Sequence, residues 1–152
     1  MEKMGILIEN RQDRYKIEPK LLKEKAQAIL DALGSPDGEL SILLLDDPQI
    51  AVLNKDYLQR EGPTNVIAFP MREGAFAEIN PELLGDVVIS LETAAREGLA
   101  AGVPMGDRLV ELMIHGILHL FGYDHEISET EARRMEAKRR VLLEQIEPLN
   151  RR

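Results

Sequence analysis

Asp107-Arg-Leu-Val-Glu-Leu-Met-Ile-His115-Gly-Ile-Leu-His119-Leu-Phe-Gly122-Tyr-Asp-His125 contains every histidine of the chain. His115 and His119 are four apart, and on a helix that spacing puts both imidazoles on one face, one turn above the other, where they can share an ion. Gly122 comes three residues after the second imidazole. A glycine there can take the left-handed conformation that ends a helix, so the chain turns back and His125 reaches the same point in space. Three neutral nitrogen ligands form the donor set of a catalytic zinc site with an open fourth position, whereas a structural zinc is normally closed by four ligands, usually including cysteine. The chain has no cysteine. Around the histidines the predicted helix is apolar on nearly every side, through Leu109, Val110, Leu112, Met113, Ile114, Ile117, Leu118, Leu120 and Phe121. Such a helix belongs in the middle of a domain, and imidazoles placed there need partners that a metal would provide.

A length of 152 residues suits a single domain that buries its core without disulfides. Hydrophobic content of 44% with 30% charged residues is that of a soluble globular protein, and no apolar run is long enough to cross a bilayer. Residues 5–8 are too short to be the apolar part of a signal peptide, and the lack of cysteine fits a cytoplasmic protein. The net charge of -8 counts against binding nucleic acid through the overall field, while leaving room for a local basic patch.

Working outward, residues 5–9 read as a short strand. Pro19 opens a helix with Leu22, Ala26, Ile29, Leu30 and Leu33 at helical spacing, ended by the loop at Gly34 to Gly38. Residues 40–45 form the clearest strand, apolar on both faces in Leu43 to Leu45 and therefore central in its sheet. Asp47 before Pro48 reads as a helix cap, followed by the stripe Ile50, Leu53, Tyr57. Residues 65–69 are extended, and 71–81 form a loop long enough to be a flap over a site. Residues 84–90 are a strand whose Ser90 caps a helix running to about Ala101, stopped by Gly102 and Pro104. Ser128 and Glu131 form a capping box for a last helix with the buried stripe Ala132, Met135, Leu142, Ile146. These elements describe a small mixed four-stranded sheet packed with about five helices around the central histidine helix. Helices set between the early strands favour parallel pairing, and the region 65–90 is short enough for an antiparallel pair.

The histidine and glycine spacing matches metzincin proteases, in which a glutamate follows the first histidine as general base. Here that position is Gly116, so the proton-handling group of peptide hydrolysis is missing. Gly116 either gives a bulky group room to approach the ion or lets the helix pack closely. Asp124, Asp86 and Glu111 are candidate assisting carboxylates, each with an alternative structural role, and no general acid or base is assigned. Arg133, Arg134, Lys138, Arg139 and Arg140, interspersed with acids, read as a solvated face of paired charges. Arg60 lies just before Pro63-Thr64-Asn65 and, if that segment borders the metal, can hold a phosphate.

The run His115-Gly-Ile-Leu-His119-Leu-Phe-Gly122-Tyr-Asp-His125 closely resembles the signature of the YbeY family, bacterial single-strand-specific endoribonucleases of ribosomal RNA maturation. Leu53-Asn54, Tyr57, residues 63–70 (Pro-Thr-Asn-Val-Ile-Ala-Phe-Pro) and 85–90 (Gly-Asp-Val-Val-Ile-Ser) match in order, so the resemblance covers nearly the whole chain. It implies an α+β fold and one zinc held by His115, His119 and His125. It further implies a role in 3′-end maturation of 16S ribosomal RNA and in ribosome quality control, with ribosomal RNA, the small subunit and its assembly factors as partners. The chain departs from the family at two places: Leu58 stands where an arginine usually follows the tyrosine, with Arg60 two residues on, and Ala68 replaces the usual serine before Phe-Pro. A zinc-dependent RNA hydrolase is the first expectation. An assembly protein with a mainly structural zinc is the second, and a metallopeptidase, disfavoured by Gly116, the third.

Overall fold

The computed structural model describes residues 5–71 and 82–146; the loop expected over 71–81 lies, apart from Met71, outside the described residues. The elements run β1 (Ile6–Asn10), α1 (Pro19–Ala32), β2 (Glu39–Leu45), α2 (Asp47–Leu58), β3 (Val66–Pro70), β4 (Leu83–Ser90), α3 (Leu91–Ala101), α4 (Met105–Leu120) and α5 (Glu129–Gln145). The strands form one mixed sheet in the order β1-β2-β4-β3. β1 and β2 are parallel, with Ile6 opposite Leu40, and β2 and β4 are parallel, with Ile42 opposite Val87. β3 runs antiparallel to β4, Val66 facing Ile89 and Pro70 facing Gly85. The fold is thus α+β with four strands and five helices among the described residues, as the sequence leads one to expect.

Alternation along the strands explains where the core sits. Leu40, Ile42 and Leu44 of β2, with Val87 and Ile89 of β4, point to one face and pack with Leu22, Ala26, Ile29 and Leu30 of α1 and the apolar residues of α4. The other face carries a smaller cluster, Leu45, Ile67 and Val88, closed by Ile50 of α2. β2 is internal in the sheet; Leu40, Ile42 and Leu44 are buried on one face, while on the other Ser41 and Leu43 are half-buried and Leu45 is buried. α4 is likewise enclosed, with Leu109, Met113, Ile114, Ile117 and Leu118 all fully buried. No helix among the described residues is long and apolar enough to cross a membrane.

Three local readings need correction. The cap of α2 is Asp46, not Asp47: the Asp46 carboxylate accepts the Gln49 N–H at 2.9 Å and the Gln49 side chain accepts the Asp46 N–H at 2.9 Å, a complete capping box. Asp47 instead turns to α3, accepting the hydroxyls of Ser90 and Thr93 at 2.6 Å each and the Arg96 guanidinium at 2.7 Å. The stripe on α2 ends before its last turn, since Tyr57 is exposed and only rests its ring edge-on against Phe69. At α5 the Ser128 hydroxyl accepts the Glu131 N–H at 3.1 Å, but the Glu131 carboxylate pairs with Arg134 rather than closing the box.

Candidate metal centre

α4 ends in a complete Schellman turn. The Gly122 N–H donates to the His119 carbonyl at 3.0 Å and the Tyr123 N–H to the Leu118 carbonyl at 3.1 Å, with Gly122 at φ +93°. An L side chain is strained at that φ, so the glycine is what lets the chain reverse. The Asp124 carboxylate then accepts the Glu126 N–H at 2.9 Å and shapes the loop that carries His125. The ring of Tyr123 lies under the Arg134 guanidinium, 4.1 Å from it, which ties this loop to α5.

These devices bring His115, His119 and His125 together, with one ligand nitrogen from each lying within 4.8 Å of the others. The ring centroids are 4.7, 5.3 and 5.5 Å apart. Nitrogens sharing one tetrahedral ion at about 2.0–2.1 Å stand roughly 3.3 Å apart, a closure that side-chain rotation can supply. His115 and His119 are half-buried and His125 is exposed, so the cluster opens to solvent on one side. Three imidazoles without carboxylate or cysteine suit a borderline transition ion and not magnesium or calcium, which take oxygen ligands. The residues present can therefore hold a metal ion.

Burial, reinforced by His119, His125, Arg108 and Arg139, pushes His115 from its ordinary 6.5 down to about 4. His119 is also lowered, mainly by burial and then by His125, with Asp124 and Glu126 opposing. A ligating imidazole must be neutral, so neither needs to shed a proton at pH 7. Because the folded-state values are depressed, acid favours the unfolded chain once pH drops below 6.5, the ordinary value. Metal-free protein is expected to lose about 1–2 kcal/mol of stability through His115 between pH 6.5 and about 4, allowing for its partial exposure. Urea titrations in chelator at stepped pH measure this loss, and His115→Asn should flatten the slope. Equal slopes in the two proteins would contradict it.

Two depressions meet at the cluster. The first, about 510 Å³, is lined by the three histidines, by Arg60 and Thr64, and by β3 from Val66 to Ala68. Gln59, left-handed at φ +52°, turns the chain after α2 and so presents Arg60 to this depression. Arg60 has no side-chain partner among the described residues. Leu58 and Ala68 line the same wall.

The second depression, about 520 Å³, shares Asn65, His115 and His125 with the first and adds Arg108, Glu111, Glu136 and Arg139. Here Arg108 bridges Glu97 and Glu111 at 2.9 Å each, and Asn65 donates to Glu97 at 3.2 Å. Glu111 thus flanks the centre as a paired carboxylate. Asp86 does not: it neighbours Val87 on β4 and so points to the opposite face of the sheet, beside Ser41 and Val88. The arginines of α5 are paired along the helix, Arg133 with Glu129, Arg134 with Glu131 and both Arg139 and Arg140 with Glu136, yet Arg139 also borders the centre. Arg108 and Arg139 are site residues that the sequence reading does not single out. Arg108 could have been found from its place seven residues before His115, two turns up the same helix face; nothing local marks Arg139.

Gly116 packs against the sheet and also lines the first depression. A Cβ there would lie 2.6 Å from Val87 Cγ1 and 3.1 Å from Val66 Cγ2, so the glycine lets α4 settle onto β3 and β4.

Sheet, buried helix and clustered imidazoles define an α+β protein with three histidines gathered at the end of a core helix. A family model described as YbeY, endoribonuclease YbeY, matches residues 7–147, and the chain belongs to that family. It is 51% identical over 145 residues to the Endoribonuclease YbeY of Geobacter sulfurreducens, spanning 95% of this chain and 97% of that one. To the Endoribonuclease YbeY of Geobacter metallireducens it is 52% identical over 140 residues, 91% and 93% of the two chains. The solution structure of TM1509 from Thermotoga maritima matches with a TM-score of 0.63 at 24% identity, over 92% of this chain and 87% of that one, a likeness of fold.

Proposed function

We propose that the chain is a single-domain, zinc-dependent endoribonuclease acting on single-stranded RNA, with His115, His119 and His125 as the metal ligands. The observation that carries this reading is the convergence of three imidazole nitrogens within 4.8 Å, at the junction of two open depressions. The names of relatives about half identical to it over nearly their whole length give the substrate class. Action in the cytoplasm on the 3′ end of 16S ribosomal RNA and in ribosome quality control, with the small subunit and assembly factors as partners, rests on the family resemblance.

A bound zinc would supply Lewis acidity to the scissile phosphate and the attacking water. The chain's own residues do the rest: burial keeps the imidazoles of His115 and His119 neutral at working pH, Gly122 fixes the reach of His125, and Arg60 offers a guanidinium to phosphate. A peptidase reading lacks its base, and even a Cβ at position 116 would lie 2.6 Å from Val87 Cγ1. The test is elemental analysis of the protein as isolated, together with cleavage of single-stranded and duplex RNA. One transition ion per chain and cleavage of single strands, stopped by a chelator and restored by zinc, are expected. Cleavage untouched by metal removal would refute the proposal.

Arg60 gives a second prediction. Arg60→Gln should weaken RNA binding about tenfold and reduce the salt slope of log affinity by about 0.7, the value for one phosphate contact on a single strand. Fluorescence anisotropy at several salt concentrations measures both, and an unchanged slope would remove Arg60 from the phosphate path.

A further inference from the structure

The second depression does not have the charge of a phosphate site. Its two guanidiniums are already engaged, Arg108 by Glu97 and Glu111 at 2.9 Å each and Arg139 by Glu136 at 2.7 Å. Carboxylates therefore match guanidiniums along the wall, and an anion gains nothing from entering. What the wall does offer is an acceptor next to a donor. Arg108 takes only Oε1 of Glu111, and Arg139 uses Nε and Nη2 on Glu136, which leaves Glu111 Oε2 and Arg139 Nη1 without partners among the described residues. The same depression is lined by the half-buried Ala132 of α5 and by the edges of two core residues, Leu112 of α4 at 2% exposure and Met135 of α5 at 3%. A polar edge able to give and to take hydrogen bonds, above an apolar floor, is the complement of a flat heteroaromatic ring.

We infer that this depression is a nucleobase subsite: one unpaired base lies on Leu112, Ala132 and Met135 with its hydrogen-bonding edge toward Glu111 and Arg139, beside a phosphate at the histidine cluster. The inference rests on the RNA-cleaving reading and deepens it. His115, His125 and Asn65 border both depressions, so a strand whose phosphates follow Arg60 and Thr64 can turn a base into the second depression as it crosses the centre. A base held in a duplex is stacked and has its edge occupied, so a single strand supplies it without the unpairing cost of a few kcal/mol that a duplex bears. A preference for unpaired RNA is then a property of this wall and not of the metal ligands.

The test uses the purified full chain and the methyl NMR signals of Leu112, Ala132 and Met135. The probes are the four nucleoside monophosphates, with ribose 5-phosphate as the same phosphate lacking a base. Saturable shifts of these methyls with at least one nucleotide, and none with ribose 5-phosphate, are expected. Ala132→Phe should fill the depression and abolish the shifts, and Glu111→Gln should weaken binding roughly tenfold by removing a charge-assisted acceptor. Ribose 5-phosphate acting as well as the nucleotides overturns the inference, as do nucleotide shifts confined to the methyls of Thr64 and Ala68. Base-dependent shifts in a protein that cleaves no RNA would instead retain the subsite and reject the nuclease reading.

Discussion

His119→Ala is expected to lower cleavage of single-stranded RNA at least roughly a thousandfold, a loss of about 4 kcal/mol of transition-state stabilisation, while the protein stays folded. The size follows from the number of ligands. A centre of three imidazoles has no spare donor, and among the described residues no other histidine, cysteine or carboxylate joins the cluster. The persistence of the fold follows from where the side chain sits. His119 is half-buried at the last turn of α4, and the buried surface of that helix comes from Leu109, Met113, Ile114, Ile117 and Leu118, on which the imidazole has no claim. In chelator the variant should match the wild type within about 1 kcal/mol. It should also titrate differently, since the imidazole at 119 is one of the groups that depress His115. Elemental analysis, cleavage rate and urea denaturation together decide it. A variant that keeps its ion and its rate defeats the assignment of His119 as a ligand. A wild type that unfolds when the ion is removed would favour the assembly-protein reading, in which the metal holds the fold.

The parts of this molecule legible in its sequence are those fixed by spacing within one element. His115, His119 and Gly122 announce themselves because helix geometry and a left-handed terminus depend on residues a turn apart, and the four strands follow from alternation and burial. Asp46 and Asp47 compete as caps because two adjacent aspartates precede one proline, and the three-residue distance from Asp46 to Gln49 is the sequence signal that separates them. Arg139 is different in kind. Its place beside the centre depends on how α5 lies against α4, a contact between elements that no local pattern encodes. The overall charge of -8 also says little about this site, because the acids around Arg108 and Arg139 are spent in pairs while Arg60 faces the first depression unpaired among the described residues.

Gly116 is where sequence left two explanations standing, and substitution there separates them. Gly116→Glu would place in α4 the glutamate that follows the first histidine in metzincin proteases, and it is expected to destabilise the protein by more than about 3 kcal/mol without conferring peptidase activity. Overpacking of a tight contact costs about 1–3 kcal/mol, and an unpartnered carboxylate against the sheet adds to it. Val87 cannot yield easily, since it is β-branched and sits on an internal strand between β2 and β3. Gly116→Ala is the milder form. Alanine recovers about 1 kcal/mol of helix propensity, but its Cβ still meets Val87 Cγ1 at 2.6 Å, so a net loss of about 1 kcal/mol is expected. Trimming the opposing side chain should relieve it: Gly116→Ala with Val87→Ala is expected to be more stable than the two single effects summed, with a coupling of about 1 kcal/mol. The same clash bears on the histidine cluster, because a helix pushed off the sheet carries His115 and His119 away from His125. Metal affinity should therefore fall with stability in Gly116→Ala and return in the double variant. Wild-type stability and metal affinity in Gly116→Ala, with RNA cleavage alone reduced, would assign the glycine to substrate room instead.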